Sequence, residues 1–239
     1  MHDFTNKTVI VTGGTKGVGF GVAEAFLKAG ANVFICGRNA PDQLPSGGDK
    51  QAIFMAADVR KAEESQALID AAIEATGRLD ILVNNAGGSP PVAAADAPPK
   101  LTEAIIKLNL IGPMIFAQQA YHAMCKTANG GSIINIASVS GERPSPGTAA
   151  YGAAKAGLIN VSRSFAQEWG VDNVRVNAII AGLIKTEAAS EHYGGEAGIK
   201  LIEDSLPMRR MASPEDISNA CLFLAADSSG YVSGAALEV

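Results

Sequence analysis

A glycine-rich turn between a short strand and a helix, near the amino terminus, is the feature that most constrains this chain. Residues Thr8–Thr12 are β-branched or apolar and predict a strand, and residues 20–29 predict a helix that Gly30 closes. Between them lies Gly13-Gly-Thr-Lys-Gly-Val-Gly19. Glycines here let the backbone approach a pyrophosphate at the helix amino terminus. Because the spacing is G-x-x-x-G-x-G and not G-x-G-x-x-G, the run alone is also compatible with an ordinary turn.

The rest of the chain alternates predicted strands with predicted helices. Apolar runs predict further strands at 32–37, 51–57, 79–83, 131–137, 174–180 and 235–239. Helices are predicted at 61–76, 101–126, about 148–169 and from Ser213 to about 226. This order predicts an α/β fold, a Rossmann-type doubly wound parallel sheet with helices on both faces. With no repeat or linker, we expect one domain over 1–239, with a flexible substrate lid over about 183–211.

Composition argues against several classes of function. The net charge is -5 and there is no basic cluster, so a nucleic-acid partner is not expected. The chain has no 18-residue apolar stretch and no signal-peptide core at its start, which predicts a cytoplasmic protein that does not span a membrane. Cys36, Cys125 and Cys221 lie far apart with no CxxC pair, which predicts buried free thiols and no metal site.

A hydroxyl, a phenol and an ammonium are predicted to converge at one edge of the sheet. Ser138 follows a predicted strand, and Tyr151 and Lys155 lie four residues apart on one helix face. Ligands of open α/β sheets bind outside the carboxyl ends of the strands. A cation lowers the tyrosine pKa from roughly 10, which would allow proton exchange with an oxygen while a hydride moves at the attached carbon. Tyr-x-x-x-Lys alone is also compatible with a helix that merely contains both residues.

Charged residues after the second and third strands bear on the cofactor. Many NAD-binding proteins place an acid after the second strand to hold the ribose 2′-hydroxyl. Here Arg38 follows that strand and Lys16 lies in the glycine turn, so NADP(H) is favoured and NAD(H) is possible; solvated surface charge is the alternative. Asp42 lies four residues beyond Arg38 and is poorly placed for the ribose. Asp58 either accepts a hydrogen bond from an adenine amino group or caps a turn.

Asparagines occur at two further points. Asn84-Asn-Ala-Gly87 follows the fourth strand and could bridge the sheet and a cofactor ribose. Asn109 lies within a predicted helix, where asparagine is a weak helix former and would ordinarily be a surface residue. Gly112-Pro113 just after it predicts an interruption or kink, which could free a carbonyl or side chain for a water.

Together these motifs resemble the short-chain dehydrogenase/reductase family over essentially all 239 residues. Ser138 precedes Tyr151 by thirteen residues, as is common in that family. The matching motifs are Thr12–Gly19, Asp58-Val59, Asn84–Gly87, Asn109, Ser138, Tyr151-x-x-x-Lys155 and 177–186. The family includes 3-oxoacyl-carrier-protein reductases, steroid dehydrogenases and sugar dehydrogenases. The resemblance implies an oxidoreductase.

The resemblance also implies a role for each matching residue. Tyr151 is then the general acid/base, Lys155 lowers its pKa and bonds the nicotinamide ribose, and Ser138 orients the substrate oxygen. Asn109 holds a water that links Lys155 to solvent. The other implied cofactor contacts are Gly13, Thr15, Lys16, Gly17, Val18 and Gly19 in the turn, Arg38, Asp58 and Val59 at the adenosine, Asn85, Ala86 and Gly87 near its ribose, and Gly182, Ile184 and Thr186 near the nicotinamide.

Two departures from the family pattern affect the expected assembly and pocket. Ala181-Gly182 stands where the family usually has Pro-Gly. The chain stops at Val239 without an Asp-Gly-Gly-like tail, so we expect either a truncated chain or one that lacks the tail. Relatives are usually tetramers built partly from the helices at 101–126 and 148–169, which implies a homotetramer or homodimer.

The leading hypothesis is an NADP(H)-dependent oxidoreductase that acts on a small-molecule ketone or secondary alcohol. Leu183, Ile199 and Leu206 in the predicted lid favour an apolar or acyl substrate, although the same residues could pack a helix on the sheet. The alternatives are an NAD-linked alcohol dehydrogenase, a non-catalytic NADP-binding sensor or scaffold, and an isomerase or dehydratase with a tightly held cofactor. Loss of Ser138, Tyr151 or Lys155 would have favoured the sensor, and all three are present.

Overall fold

A parallel sheet forms the centre of the molecule. The computed structural model describes residues 2–127, 129–186 and 194–239. The strands of the main sheet are β1 Thr8–Thr12, β2 Asn32–Gly37, β3 Ile53–Ala56, β4 Ile81–Asn84, β5 Gly131–Ser138, β6 Val174–Ala181 and β7 Ala236–Glu238. All seven run parallel, in the order β3-β2-β1-β4-β5-β6-β7. This arrangement, in which the order of successive strands reverses direction across the sheet between β1 and β4 while the strands stay parallel, confirms the predicted Rossmann-type fold.

Helices cover both faces of the sheet, as predicted. They are α1 Gly17–Lys28, α2 Ala62–Thr76, α3 Pro99–Ile106, α4 Gly112–Met124, α5 Ala149–Trp169, α6 Gly195–Ser205 and α7 Pro214–Ala225. On one face α1 and α7 pack against Val9 and Val11, while α2, α4 and α5 pack on the other face against Ile10 and Leu82. Neighbouring residues of β1 therefore enter different cores, because successive side chains of a strand point to opposite faces.

The predicted helix at 101–126 is divided into three parts. Helix α3 ends at Ile106, a single π-helical segment spans Lys107–Ile111, and α4 begins at Gly112. The approach of Gly112 to another backbone explains why the small residue stands there, since a Cβ on Gly112 would lie 2.7 Å from the carbonyl oxygen of Val59. The predicted interruption near Gly112 is therefore present, and its form is a π-bulge.

Two predicted strand boundaries were wrong. The third strand begins at Ile53, and not at Gln51, because Lys50–Gln51 pairs antiparallel with Ser46–Gly47 in a separate hairpin. The fourth strand begins at Ile81, and not at residue 79. Asp80 lies just before it: its backbone N–H donates to the Thr8 carbonyl, and its carboxylate accepts hydrogen bonds from the backbone N–H of Thr8 and from Arg78.

Helix α7 begins where the sequence predicts, and Ser213 is its N-cap. Its hydroxyl accepts a hydrogen bond from the backbone N–H of Asp216, and the Asp216 carboxylate accepts one from the backbone N–H of Ser213. Just before this capping box, Ala212 forms a parallel bridge with Ile184, which joins the two ends of the predicted lid. Residues 187–193 of that lid lie outside the described residues.

The cysteine prediction was right for two of three residues. Cys36 and Cys221 are buried thiols, and burial raises the pKa of Cys36 to about 12. Cys125 is exposed, because it follows the last residue of α4. Within the described ranges, no helix is long and apolar enough to cross a membrane, and no group of three His, Cys, Asp or Glu side chains could hold a metal ion.

Candidate active site

A large cleft lies at the carboxyl ends of β1, β2, β3 and β4. Its volume is about 1100 Å³, and its walls come from the segments that directly follow these four strands. Parallel strands place their carboxyl ends at one edge, so segments far apart in sequence meet there. The predicted cofactor residues that line it are Gly13, Thr15, Lys16, Gly17, Val18, Gly19, Arg38, Asp58, Val59, Asn85, Ala86, Gly87 and Thr186.

The glycine turn forms the floor of the cleft and fits a pyrophosphate. Gly13 and Gly17 have positive φ angles of 65° and 55°, which side chains rarely adopt. A Cβ on Gly19 would lie 2.4 Å from both the Gly13 carbonyl oxygen and the Asn85 Nδ2 atom. Glycine at these positions brings the backbone and the amino terminus of α1 to the cleft surface. Backbone N–H groups at a helix amino terminus favour bound phosphate.

Two cations line the cleft near the ends of β1 and β2. Lys16 immediately precedes α1, and Arg38 immediately follows β2; both side chains are exposed and both line the cleft. An arginine fork and a lysine ammonium at one site are suited to a phosphate monoester. Asp42, which we predicted to be poorly placed, also lines the cleft, beside the segment that carries Arg38.

Asp58 is paired with a residue that the sequence analysis did not single out. Arg60 donates to both of its carboxylate oxygens, with Nη2–Oδ2 at 2.5 Å and Nε–Oδ1 at 2.8 Å, and its backbone N–H donates to Oδ1 at 3.0 Å. Arg60 holds the pKa of Asp58 down at about 2. The turn-capping interpretation of Asp58 is therefore observed, while an adenine contact stays a prediction. The sequence did contain a signal for this ion pair, because Asp58 and Arg60 carry opposite charges and lie two residues apart at the end of a strand.

The predicted bridging segment Asn84–Gly87 makes two different connections. Asn85 donates from Nδ2 to the Thr12 carbonyl at 2.9 Å and so ties the ends of β4 and β1 together beside the cleft. Asn84 is buried and points into the protein, where its Nδ2 donates to Asn135 Oδ1 at 2.9 Å. Asn135 in turn donates to the Ser162 hydroxyl of α5 at 2.8 Å. The amides therefore link β4, β5 and α5.

Lys155 is buried beside the cleft, on the inner side of Gly87. Only 3% of its surface is exposed, and its Nζ donates to the carbonyl oxygen of Ile136 at 2.6 Å. Burial lowers the pKa of Lys155 to about 8, because a charged amine loses its hydration. The ammonium nevertheless remains mostly protonated at neutral pH. It lies 5.5 Å from the centre of the Tyr151 ring, as the shared helix face predicts.

Asn109 and Gly87 lie against the same ammonium. Asn109 is fully buried in the π-helical segment, and its side chain exchanges two 2.9 Å hydrogen bonds with the backbone of Gly88. A Cβ on Gly87 would lie 2.6 Å from Asn109 Oδ1 and 3.4 Å from Lys155 Nζ. Gly87 therefore separates the cleft from the pair formed by Asn109 and Lys155. The expectation that an asparagine here would be a surface residue was wrong.

Ser138 ends β5 beside the helix that carries Tyr151 and Lys155. Its hydroxyl accepts a hydrogen bond from the backbone N–H of Ser140 at 3.2 Å, which begins a one-turn 3₁₀ helix. That turn packs closely on α5, since a Cβ on Gly152 would lie 2.7 Å from the Ser140 carbonyl oxygen. Ser138 also pairs in register with Ala181 at the end of β6.

Six predicted site residues lie away from the described walls of the cleft. Gly87 lies between the cleft and both Lys155 and Asn109. Gly182 and Ile184 belong to the segment after β6, which forms backbone hydrogen bonds with Ala212. Ser138 and Tyr151 are the other two predicted site residues that do not line the described cleft. The cleft is also lined by residues that we did not predict, namely Phe20, Cys36, Gly37, Asn39, Ala40, Pro41, Gln43, Ala57, Arg60 and Leu108.

Comparisons with known proteins show the family of the chain. A sequence profile described as enoyl-(acyl carrier protein) reductase matches residues 13–239. The 3-oxoacyl-[acyl-carrier-protein] reductase FabG of Chlamydia trachomatis serovar D is 36% identical over 248 residues, covering 98% of this chain and 96% of that relative. A 3alpha-hydroxysteroid dehydrogenase of Mediterraneibacter gnavus is 35% identical over 241 residues, covering 98% and 95%. The chain belongs to the short-chain dehydrogenase/reductase family.

The fold of this short-chain dehydrogenase/reductase agrees with a solved relative. A short-chain type dehydrogenase/reductase from Mycobacterium ulcerans superposes with a TM-score of 0.91 at 29% identity, over 99% of this chain and 89% of that one. The chain is thus an oxidoreductase of a family that binds a nicotinamide cofactor. The family resemblance expected from the sequence motifs is confirmed.

We predict that Gly87→Ala destabilises this short-chain dehydrogenase/reductase. The added methyl group would meet Asn109 Oδ1 at 2.6 Å, and overpacking costs about 1–3 kcal/mol. The free energy of unfolding, measured in urea, should fall by that amount. Gly170→Ala is the control, because a Cβ there meets no atom within 4 Å. Equal stabilities of the two variants would contradict the close packing at Gly87.

We also predict a pH-dependent stability difference between the wild type and Lys155→Met. Because the pKa of Lys155 is lowered from 10.5 to about 8, burial of its charge costs about 3 kcal/mol at neutral pH. Between about pH 8 and pH 10.5 the unfolded chain binds more protons than the folded one, so the wild type gains stability relative to the variant as pH rises. Urea unfolding of both proteins across this range measures the difference. Exposed Lys126→Met is the control, and a constant difference for Lys155→Met would contradict the prediction.

Proposed function

We propose that the protein is an NADP(H)-dependent oxidoreductase that moves a hydride between the nicotinamide and a ketone or secondary alcohol. The observation that carries the proposal is the buried Lys155 ammonium, 5.5 Å from the Tyr151 ring and one glycine away from the cleft. A protonated amine fixed beside a phenol is suited to exchanging a proton at a substrate oxygen. The names of the relatives, a 3-oxoacyl reductase and a hydroxysteroid dehydrogenase, support chemistry at a carbonyl or alcohol carbon.

Tyr151 acts as the general acid/base. The positive charge of Lys155 favours the phenolate over the phenol, because an opposite charge nearby stabilises the ionised form. In the reductive direction Tyr151 gives its proton to the substrate oxygen, and in the oxidative direction it takes the proton from the hydroxyl. Ser138, at the end of β5, donates a hydrogen bond to the same oxygen and orients it.

Asn109 supports the return of the proton. Its side chain is fixed by the backbone of Gly88 and by the Ile105 carbonyl, to which Nδ2 donates at 2.9 Å. The π-bulge holds this amide beside Gly87 and Lys155. We assign to Asn109 the positioning of a water through which Lys155 is reprotonated.

The residues of the cleft fit a dinucleotide phosphate along its length. The nicotinamide supplies the hydride acceptor or donor when bound. The glycine turn binds the pyrophosphate, Arg38 and Lys16 bind the 2′-phosphate, and Asp58 and Val59 contact the adenine. Gly182, Ile184 and Thr186 hold the nicotinamide end. Ile199 is buried with 8% of its surface exposed, so its apolar side chain packs the lid helix and says little about the substrate.

We predict that Tyr151→Phe abolishes turnover and leaves cofactor binding intact. The variant lacks only the phenolic hydroxyl, and general acid–base catalysis contributes typically 10²–10⁴-fold, so kcat should fall by at least about 100-fold. The assay follows NADPH oxidation with a panel of a 3-oxoacyl thioester, a keto steroid and an aliphatic ketone. Tyr121→Phe is the matched control, since Tyr121 donates to Asp172 and lies outside the described cleft. Full activity of Tyr151→Phe would refute the assigned role.

We predict a cofactor preference that depends on Arg38. NADPH should bind at least about 10-fold more tightly than NADH, a difference of about 1.4 kcal/mol. Arg38→Glu should remove the preference, because it replaces the guanidinium that binds the 2′-phosphate with a carboxylate, whose negative charge repels that phosphate. Binding is measured by the fluorescence of the reduced nicotinamide, and exposed Lys126→Glu is the charge-matched control. Equal or tighter binding of NADH by the wild type would replace this assignment with an NAD-linked dehydrogenase.

A further inference from the structure

The pairing of Arg60 with Asp58 occupies the adenine end of the cleft. Four contacts join the two residues: backbone N–H to Oδ1 at 3.0 Å, Nε to Oδ1 at 2.8 Å, Nε to Oδ2 at 3.1 Å, and Nη2 to Oδ2 at 2.5 Å. Both residues line the cleft. The side chains are 32% and 17% exposed, so the pair is only partly screened by solvent.

These contacts leave little accepting capacity on Asp58. An ionised carboxylate offers about four lone-pair sites, and Arg60 directs four contacts at them. A further donor must therefore displace part of the guanidinium. A hydrogen bond to an ionised carboxylate is about twice as strong as a neutral one whether the donor is charged or not, so exchanging an Arg60 contact for another donor returns little net free energy.

We propose that Arg60 is a specificity-determining residue that competes with the adenine amino group for Asp58. The inference rests on the proposed function, which puts the adenine of the cofactor at Asp58 and Val59. An adenine base displaces Arg60 from one carboxylate oxygen. A hypoxanthine base, which carries a carbonyl oxygen in place of the amino group, accepts a hydrogen bond from Arg60 instead. Arg60 thus makes the cleft tolerant of both purines.

The test compares NADPH with reduced nicotinamide hypoxanthine dinucleotide phosphate. Dissociation constants of both are measured by reduced-nicotinamide fluorescence for the wild type, Arg60→Met and Lys61→Met. Lys61 is the matched control: it is the adjacent cation, pairs with Glu64 at 2.7 Å and does not line the described cleft. Circular dichroism checks that each variant is folded.

We expect the wild type and Lys61→Met to bind the two dinucleotides within about 3-fold of each other. Arg60→Met frees the carboxylate for the amino group and should prefer NADPH by about 10-fold or more, which corresponds to about 1.4 kcal/mol. Asp58→Ala in the Arg60→Met background should abolish that preference, because it removes the acceptor.

Two results would overturn the inference and leave the proposed function standing. The first is that the wild type prefers NADPH by 10-fold or more and that Arg60→Met binds the two dinucleotides equally. Arg60 would then be a positioning residue for Asp58. The second is that the ratio of the two dissociation constants is the same in the wild type and in Arg60→Met. Failure of a folded wild type to bind either dinucleotide would instead refute the proposed function, and the inference with it.

Discussion

The burial of one ammonium is the constraint on which the rest of the site depends. Lys155 has 3% of its surface exposed, and removing a charge from water costs several kcal/mol unless hydrogen bonds and packing compensate. The Ile136 carbonyl accepts from it, and the aromatic residues Phe165 and Trp169 anchor the far end of α5, their rings stacked at 4.0 Å. A Cβ on Gly87 would lie 3.4 Å from Lys155 Nζ and 2.6 Å from Asn109 Oδ1, so only a residue as small as glycine fits between this ammonium and the cleft.

A buried chain of amides fixes the strands that meet this helix. Asn84 donates to Asn135, and Asn135 donates to Ser162 of α5, whose hydroxyl donates to the Leu158 carbonyl at 2.7 Å. A buried polar group without a partner is costly, so each member of the chain requires the next. The geometry of β4, β5 and α5 is therefore set by directional bonds as well as by apolar packing. These bonds therefore also help to fix the position of the α5 face that carries Tyr151 and Lys155.

The features that could be predicted from the sequence are those with local causes. The strand, glycine turn and helix at the amino terminus and the Ser213 capping box depend on residues adjacent in the chain, and both were found in place. The π-bulge depends on a distant backbone, since Gly112 lies against Val59, and Asn109 is buried because Gly88 accepts and donates its hydrogen bonds. Periodicity carries no information on such contacts. Periodicity likewise does not show that Lys50–Gln51 pairs with Ser46–Gly47 in a hairpin and so lies outside the third strand.

Arg60 shows how a residue can be missed although its signal is local. An arginine two residues after an aspartate at a strand end is a local signal for an ion pair. The structure places Asp58 between two cations: Arg60 binds it directly, and Arg38 attracts it at longer range and also helps to lower its pKa. The groups that we propose to face the base and the 2′-phosphate thus share one carboxylate. A charge change at Arg60, Arg38 or Asp58 alters the electrostatic field at the other two, so the proposed function implies that recognition of the base and of the 2′-phosphate are coupled through Asp58.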